Sequence, residues 1–98
     1  KEDDGVTIHW LIPNAQKKDI EPILVTLQPG AKTETDLPHM GEEFGYVLSG
    51  AVTLELGGKN YRVRKGDSFS FKPSQQHDLK NTGKTPATVL WVCTPPNF

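Results

Sequence analysis

The sequence predicts an all-β domain of about seven to nine short strands, and three observations support this prediction. Nine glycines and eight prolines recur at short intervals along the 98 residues. Between them lie segments in which apolar and polar residues alternate, the pattern of a half-buried strand. No segment has the length and apolar spacing of a convincing helix, although residues 14–21 are compatible with one helical turn.

The first half of the chain contains two alternating runs. Residues 5–12 form the first, with Val6 and Ile8 on one face, and Pro13 ends it because proline cannot donate to a strand ladder. Residues 23–27 form the second, which stops at Pro29-Gly30. Residues 31–42 are polar and are predicted to be irregular or edge structure.

Strand signals continue in the second half. Residues 44–49 and 51–56 flank Gly50, and Gly57-Gly58 then indicates a hairpin, because both central positions of a type I′ turn need a positive φ. After Tyr61 and Val63, a turn at residues 65–67 precedes Phe69 and Phe71. Residues 87–93 are almost all apolar, as expected for a strand buried on both faces.

Composition excludes several classes of function. Eleven basic residues stand against twelve acidic ones, and no Lys/Arg cluster forms a phosphate-binding stripe, so this chain is a poor candidate for binding nucleic acid itself. No apolar run is long enough to span a membrane, and residues 1–5 lack the apolar part of a signal peptide. One cysteine, Cys93, cannot form an internal disulfide, so we expect a cytoplasmic protein. The absence of an initiator Met fits a piece of a longer chain.

Candidate functional residues stand out by their spacing in two segments: His39, Glu43 and Gly50 in the first, and Gly66, His77 and Asn81 in the second. Taken singly, each has an ordinary structural explanation. Glu43 beside Glu42 fits a solvated surface pair, and Asn81 before Thr82-Gly83 fits a turn. Their combination is the informative feature.

Together the two segments resemble the two motifs of the cupin superfamily. Gly30, Leu37-Pro38-His39, Glu43 and Gly50 correspond to the first motif, and Gly66, Pro73, His77 and Asn81 to the second. The resemblance implies a single domain over residues 1–98, folded as a cupin double-stranded β-helix, a jelly-roll-like barrel. Its core motifs are residues 30–50 and 66–81.

Three positions depart from the family pattern. Leu37 replaces the first motif histidine, so three of the four usual metal-ligand positions remain. In the second motif, Lys72 takes the proline position and Ser74 takes that of the second glycine. The distance from Gly66 to His77 is nevertheless preserved.

The resemblance places His39, Glu43 and His77 at the mouth of the barrel cavity. Two imidazoles and one carboxylate suit one divalent transition metal, and this donor set does not distinguish Zn, Fe, Mn and Ni. Leu37 weakens the metal hypothesis. The alternative is a metal-free pocket in which the same three residues hydrogen-bond a small polar ligand.

The strand after Glu43 alternates between the inside and the outside of the barrel. The inward set is Glu43, Gly45, Val47 and Ser49, and the outward set is Phe44, Tyr46 and Leu48. Because Gly45 and Ser49 are small, we expect space for a ligand above them. The apolar outward set needs a cover, and we predict a homodimer.

Residues 41–50 and 89–98 resemble the C-terminal sensor domain of bacterial helix-turn-helix transcription regulators. This implies a domain that binds a small-molecule effector and dimerises, with DNA contacted only through a module outside this chain. One alternative is a stand-alone metal-dependent cupin enzyme, of the dioxygenase, isomerase or epimerase type. Another is a structural dimerisation domain with an empty pocket.

Overall fold

A computed structural model describes residues 2–12, 19–33, 41–72 and 74–95. Within these ranges there is no helix, and nine strands are present: β1 (Glu2–Asp3), β2 (Val6–Trp10), β3 (Glu21–Leu27), β4 (Glu42–Ser49), β5 (Ala51–Leu56), β6 (Lys59–Arg64), β7 (Ser68–Phe71), β8 (His77–Lys80) and β9 (Ala87–Thr94). The all-β prediction is confirmed. Most of the segment considered for a helical turn lies outside the described residues, and Glu21 already belongs to β3.

The strands form two antiparallel sheets. The larger has the order β1-β2-β3-β9-β4-β7 and the smaller has the order β6-β5-β8. The last strand of the chain, β9, is inserted between β3 and β4, so distant segments meet in the middle of the large sheet. Apolar side chains from both sheets, together with Ala31 from the segment after β3, form one core: Val6, Ile23, Val25, Leu27, Ala31, Val47, Val52, Leu54, Val63, Leu79, Ala87, Val89, Trp91 and Cys93.

The hairpin between β5 and β6 forms where the sequence predicts it. Gly57 and Gly58 have φ values of 59° and 85°, as a type I′ turn requires. This turn pairs Leu56 with Lys59 and fixes the register of the small sheet.

Strand β4 alternates as predicted up to Val47, with Glu43, Gly45 and Val47 buried and the residues between them exposed. The prediction that Ser49 points inward is wrong, because Ser49 is exposed. The pairing of β4 with β9 shifts register between Val47 and Ser49, and such an irregularity breaks the period of two.

Strand β9 also differs from its prediction. It alternates between buried and half-buried residues instead of being buried on both faces. Its central position in the large sheet explains its apolar composition. Its inner side chains enter the core, whereas the outer face of the sheet stays partly open to solvent among the described residues.

Candidate functional site

Three buried ionisable residues, Glu21, Glu43 and His77, lie at one end of the barrel. Strands β3, β4 and β8 begin at this end, and β7 and β9 finish there. The strand register places Glu43 opposite both Phe71 and Cys93, and Cys93 opposite Glu21. A row of inward side chains therefore crosses four neighbouring strands of the large sheet, and His77 reaches it from the small sheet.

Glu43 and His77 form a buried contact between the two sheets. Each residue is only 1% exposed, and Nε2 of His77 lies 2.7 Å from Oε2 of Glu43. A nitrogen and an oxygen at this distance share a hydrogen, since two facing lone pairs would repel each other. The sequence-predicted residues Glu43 and His77 are thus brought together.

Two further contacts fix the orientation of this pair. The indole Nε1–H of Trp91 donates to Oε1 of Glu43 at 2.6 Å. On the other side, Nδ1 of His77 lies 3.1 Å from the backbone oxygen of Gln75. A carbonyl oxygen only accepts hydrogen bonds, so Nδ1 carries a hydrogen and Nε2 is the atom directed at Glu43.

Aromatic rings surround the pair. Phe71 meets the His77 ring edge-on with centroids 5.0 Å apart, and Trp91 lies nearly parallel to that ring at 6.4 Å. Phe69 packs edge-on against Trp91 at 5.4 Å. These rings exclude water and lower the local dielectric constant, which strengthens the hydrogen bonds inside.

The expected space above Gly45 is not open. A Cβ placed on Gly45 would collide with the ring of Phe69, which lies directly over the glycine backbone. Ser49, the other small residue invoked for ligand space, is exposed. The expectation of ligand space based on Gly45 and Ser49 is therefore wrong.

The remaining motif residues either have a structural role or lie outside the described residues. Asn81 is buried and donates from Nδ2 to the backbone oxygens of Leu27 and Thr85, while its Oδ1 accepts from the backbone N–H of Gly83. Asn81 therefore holds a loop together. His39 and Leu37 lie outside the described residues, as does Pro73.

Two residues of the site were not predicted from the sequence. Glu21 is 4% exposed and points inward like Ile23 and Val25. The alternating pattern of β3, continued two residues towards the N-terminus from Ile23, predicts this direction. Trp91 could have been placed inside by its parity with Cys93. Its hydrogen bond to Glu43 has no signal in the sequence.

The described residues do not form a complete metal site. No group of three or more His, Cys, Asp or Glu side chains in the described ranges is arranged to hold one. Glu43 and His77 supply two suitable donors, and their 2.7 Å separation is slightly shorter than the roughly 3 Å between two ligands at right angles on one metal. An ion between these two donors would thus need the shared hydrogen to leave and the pair to open slightly.

A two-sheet β-barrel with a polar pair enclosed at one end is the architecture that the cupin motifs imply. The family model of the cupin domain matches residues 23–93, and the chain belongs to this family. No helix in the described ranges is long and apolar enough to cross a membrane.

Comparison with known proteins associates this cupin domain with regulators. The chain is 29% identical over 94 residues to the HTH-type transcriptional regulator PuuR of Escherichia coli (strain K12), covering 96% of this chain and 51% of the regulator. The chain thus spans about half the length of that relative. The cupin domain of an XRE family transcriptional regulator from Enterobacter cloacae has the same fold, with a TM-score of 0.83, 19% identity, and coverage of 95% of this chain and 99% of that one.

The same fold also occurs in a protein described as an enzyme. A predicted oxalate decarboxylase from Thermotoga maritima superposes with a TM-score of 0.80 and 24% identity, over 91% of this chain and 79% of that one. At this identity the likeness concerns the fold alone. The fold is therefore compatible with both classes of function.

Proposed function

We propose that this chain is the effector-sensing and dimerisation domain of a cytoplasmic transcription regulator, whose helix-turn-helix module lies outside these 98 residues. The buried Glu43–His77 pair among aromatic rings carries the proposal, because an enclosed polar pair suits recognition of a small molecule. The similarity to a regulator over nearly the whole chain supports it. A helix-turn-helix pattern encoded in frame upstream of Lys1 is the expected genetic result, and a start codon directly before Lys1 would contradict it.

The charges of the pocket restrict the class of effector. Among the described residues, the buried ionisable side chains at this end of the barrel are Glu21, Glu43, His77 and its strand neighbour Asp78, and no lysine or arginine is buried. Three carboxyl groups against one imidazole disfavour an anion, which would be desolvated beside them. We therefore expect neutral or cationic compounds to bind in preference to organic acids.

A thermal-shift screen tests effector binding. The compounds are polyamines, amino acids, sugars and small organic acids, and a ligand that binds the native state raises the melting temperature. The pocket variant is Glu43→Gln, and its matched control is Glu42→Gln, because Glu42 is the exposed neighbour on the same strand. A hit that survives Glu42→Gln and disappears with Glu43→Gln supports the proposal, whereas stabilisation by organic acids alone contradicts the charge argument.

We treat the pocket as metal-free, since Glu43 and His77 already hydrogen-bond each other. The competing proposal is that His39, Glu43 and His77 hold one divalent transition metal, Zn, Fe, Mn or Ni, which would act as a Lewis acid. Metal analysis of purified protein decides between them. Stoichiometric metal that is lost on His77→Ala supports the three-residue metal site, and no bound metal in the wild-type protein supports the metal-free pocket.

An enzyme is the second candidate function. It is favoured by the Glu43–His77 hydrogen bond, since a carboxyl group sharing a hydrogen with an imidazole is an arrangement used in general acid–base catalysis. Turnover of any compound found in the screen, followed over hours and abolished by Glu43→Gln, would support this candidate. Unchanged compound in the same mixture supports the sensor.

The outer face of the large sheet is the surface that we propose for dimerisation with a second copy of the chain. Its exposed apolar residues are Phe44 (39%), Tyr46 (37%) and Leu48 (41%) on β4. Phe44 and Tyr46 pair with Val92 and Leu90 of β9, which extend the apolar surface across the sheet. A flat apolar face of this kind can cover itself in a twofold dimer.

Sedimentation of two matched variants tests this surface. Tyr46→Lys places a charge in the centre of the proposed interface, whereas Tyr61→Lys changes an equally large exposed tyrosine on the small sheet. We expect Tyr46→Lys to be monomeric while Tyr61→Lys remains a dimer. A monomeric wild-type protein would refute the dimer. A dimeric protein that binds none of the screened compounds would support the purely structural alternative.

A further inference from the structure

The hydrogen bonds around Glu43 are distributed unevenly between its two oxygens. Oε1 accepts from the indole of Trp91 at 2.6 Å, and Oε2 faces Nε2 of His77 at 2.7 Å. Trp91 and Glu43 are diagonal neighbours on adjacent strands, because Glu43 pairs with Cys93 and Trp91 pairs with Gly45.

We propose that Trp91 is a positioning residue of this pocket. Its N–H anchors Oε1, so the carboxyl group cannot rotate freely about its last torsion, which is otherwise broad. Only Oε2 is then presented to His77, and the Gln75 carbonyl fixes the opposite end of that imidazole. A ligand that separates the pair would then meet Oε2 of Glu43 and Nε2 of His77.

The proposal rests on the proposed function only in treating Glu43 and His77 as the ligand-contacting pair. Removing a side chain that hydrogen-bonds to a ligand-contacting group commonly lowers the affinity for the ligand, and in metal sites the affinity for the metal falls by about 10- to 100-fold. Trp91 also packs against Phe69, Phe71 and His77, so loss of stability alone would not separate positioning from packing. The test therefore follows the hydrogen bond itself.

The first measurement uses the indole N–H signal of Trp91 in ligand-free protein. The variant Trp10→Phe removes the other tryptophan, which is exposed, and leaves one indole cross-peak in a ¹H–¹⁵N spectrum. In this background we expect a downfield, slowly exchanging indole proton, because the acceptor is a buried carboxyl group. Glu43→Gln should shift this signal upfield and Glu42→Gln should leave it in place. An indole chemical shift that is unchanged by Glu43→Gln would overturn the proposal.

The second measurement follows the His77 ring nitrogens by ¹⁵N NMR. Trp91→Phe keeps an aromatic ring but removes the N–H, whereas Phe71→Leu removes a ring that contacts both His77 and Trp91 without any hydrogen bond to Glu43. We expect Trp91→Phe to shift the Nε2 resonance more than Phe71→Leu does. Equal shifts would reduce Trp91 to a packing residue and overturn the proposal.

The two experiments remain informative if a variant does not fold or if no ligand is found. If Trp91→Phe does not fold, the Glu43→Gln measurement still decides, because it leaves Trp91 intact. Both measurements are made without ligand, so a pocket that binds none of the screened compounds defeats the proposed function and leaves the positioning role to be judged by the indole signal.

Discussion

The buried pair of Glu43 and His77 allows a double-mutant cycle whose outcome follows from the structure. The perturbation consists of Glu43→Leu, His77→Leu and the two substitutions together. Both residues are 1% exposed and touch at 2.7 Å, so neither can exchange its partner for bulk water. The cost of each single substitution should therefore depend on whether the other residue is still present.

The expected magnitudes come from the groups that each variant leaves behind. Glu43→Leu removes the acceptor of both Trp91 Nε1–H and His77, at about 1–3 kcal/mol for each buried group. His77→Leu removes one member of a buried pair while keeping the carboxyl group, which costs about 3–5 kcal/mol. In the double variant neither member of the buried pair is left behind, and the Trp91 donor and the Gln75 carbonyl each lose one hydrogen-bond partner, at about 1–3 kcal/mol per group. The double variant should thus be no less stable than either single variant.

Urea unfolding at one fixed protein concentration measures the cycle, because the stability of an oligomer depends on concentration. We expect a coupling free energy of at least about 2 kcal/mol between the two sites. If the two single effects simply add in the double variant, the buried contact does not couple the sheets, and the description of the pocket as a closed pair is wrong. Glu42→Leu, on the exposed side of β4, supplies the control.

Three further predictions concern the surroundings of the pair. Gly45→Ala should destabilise the domain by about 1–3 kcal/mol in thermal melts, because the new methyl group meets the ring of Phe69; an unchanged melting temperature would contradict that packing. Asn81→Ala should cost at least about 2 kcal/mol in urea unfolding, since it removes three hydrogen bonds of a buried amide, and a neutral effect would be contrary evidence. The buried thiol of Cys93 should react with a thiol reagent only on unfolding, so rapid reaction of native protein would show that this end of the barrel is open.

The strands of this chain could be predicted because their signals are local. Alternation placed Glu43 and Val47 inside and Tyr46 outside, and paired glycines with positive φ placed the hairpin between β5 and β6. These features depend on the period of two and on the steric freedom of glycine. Neither depends on which strands become neighbours.

The errors arose where distant segments meet. Ser49 follows an irregularity in the pairing of β4 with β9, which no local pattern announces. The space over Gly45 is filled by Phe69, which arrives from β7. The contact between Trp91 and Glu43 likewise depends on the insertion of β9 beside β4. Spacing identified Glu43 and His77, whereas their hydrogen-bonding partners required the sheet order.

The two faces of β4 have a thermodynamic consequence. One stretch of backbone carries Glu43 towards the pocket and holds Phe44 and Tyr46 on the surface proposed for a second subunit. A ligand that moves the Glu43 backbone must also move its neighbours, because consecutive residues of a strand share their peptide planes. Occupancy of the pocket and strength of the dimer are then linked quantities, and linkage is reciprocal. Dimerisation would therefore alter the affinity for an effector by the same factor by which that effector alters dimerisation, and a substitution on the outer surface that abolished the dimer would change the affinity for a molecule that it never touches.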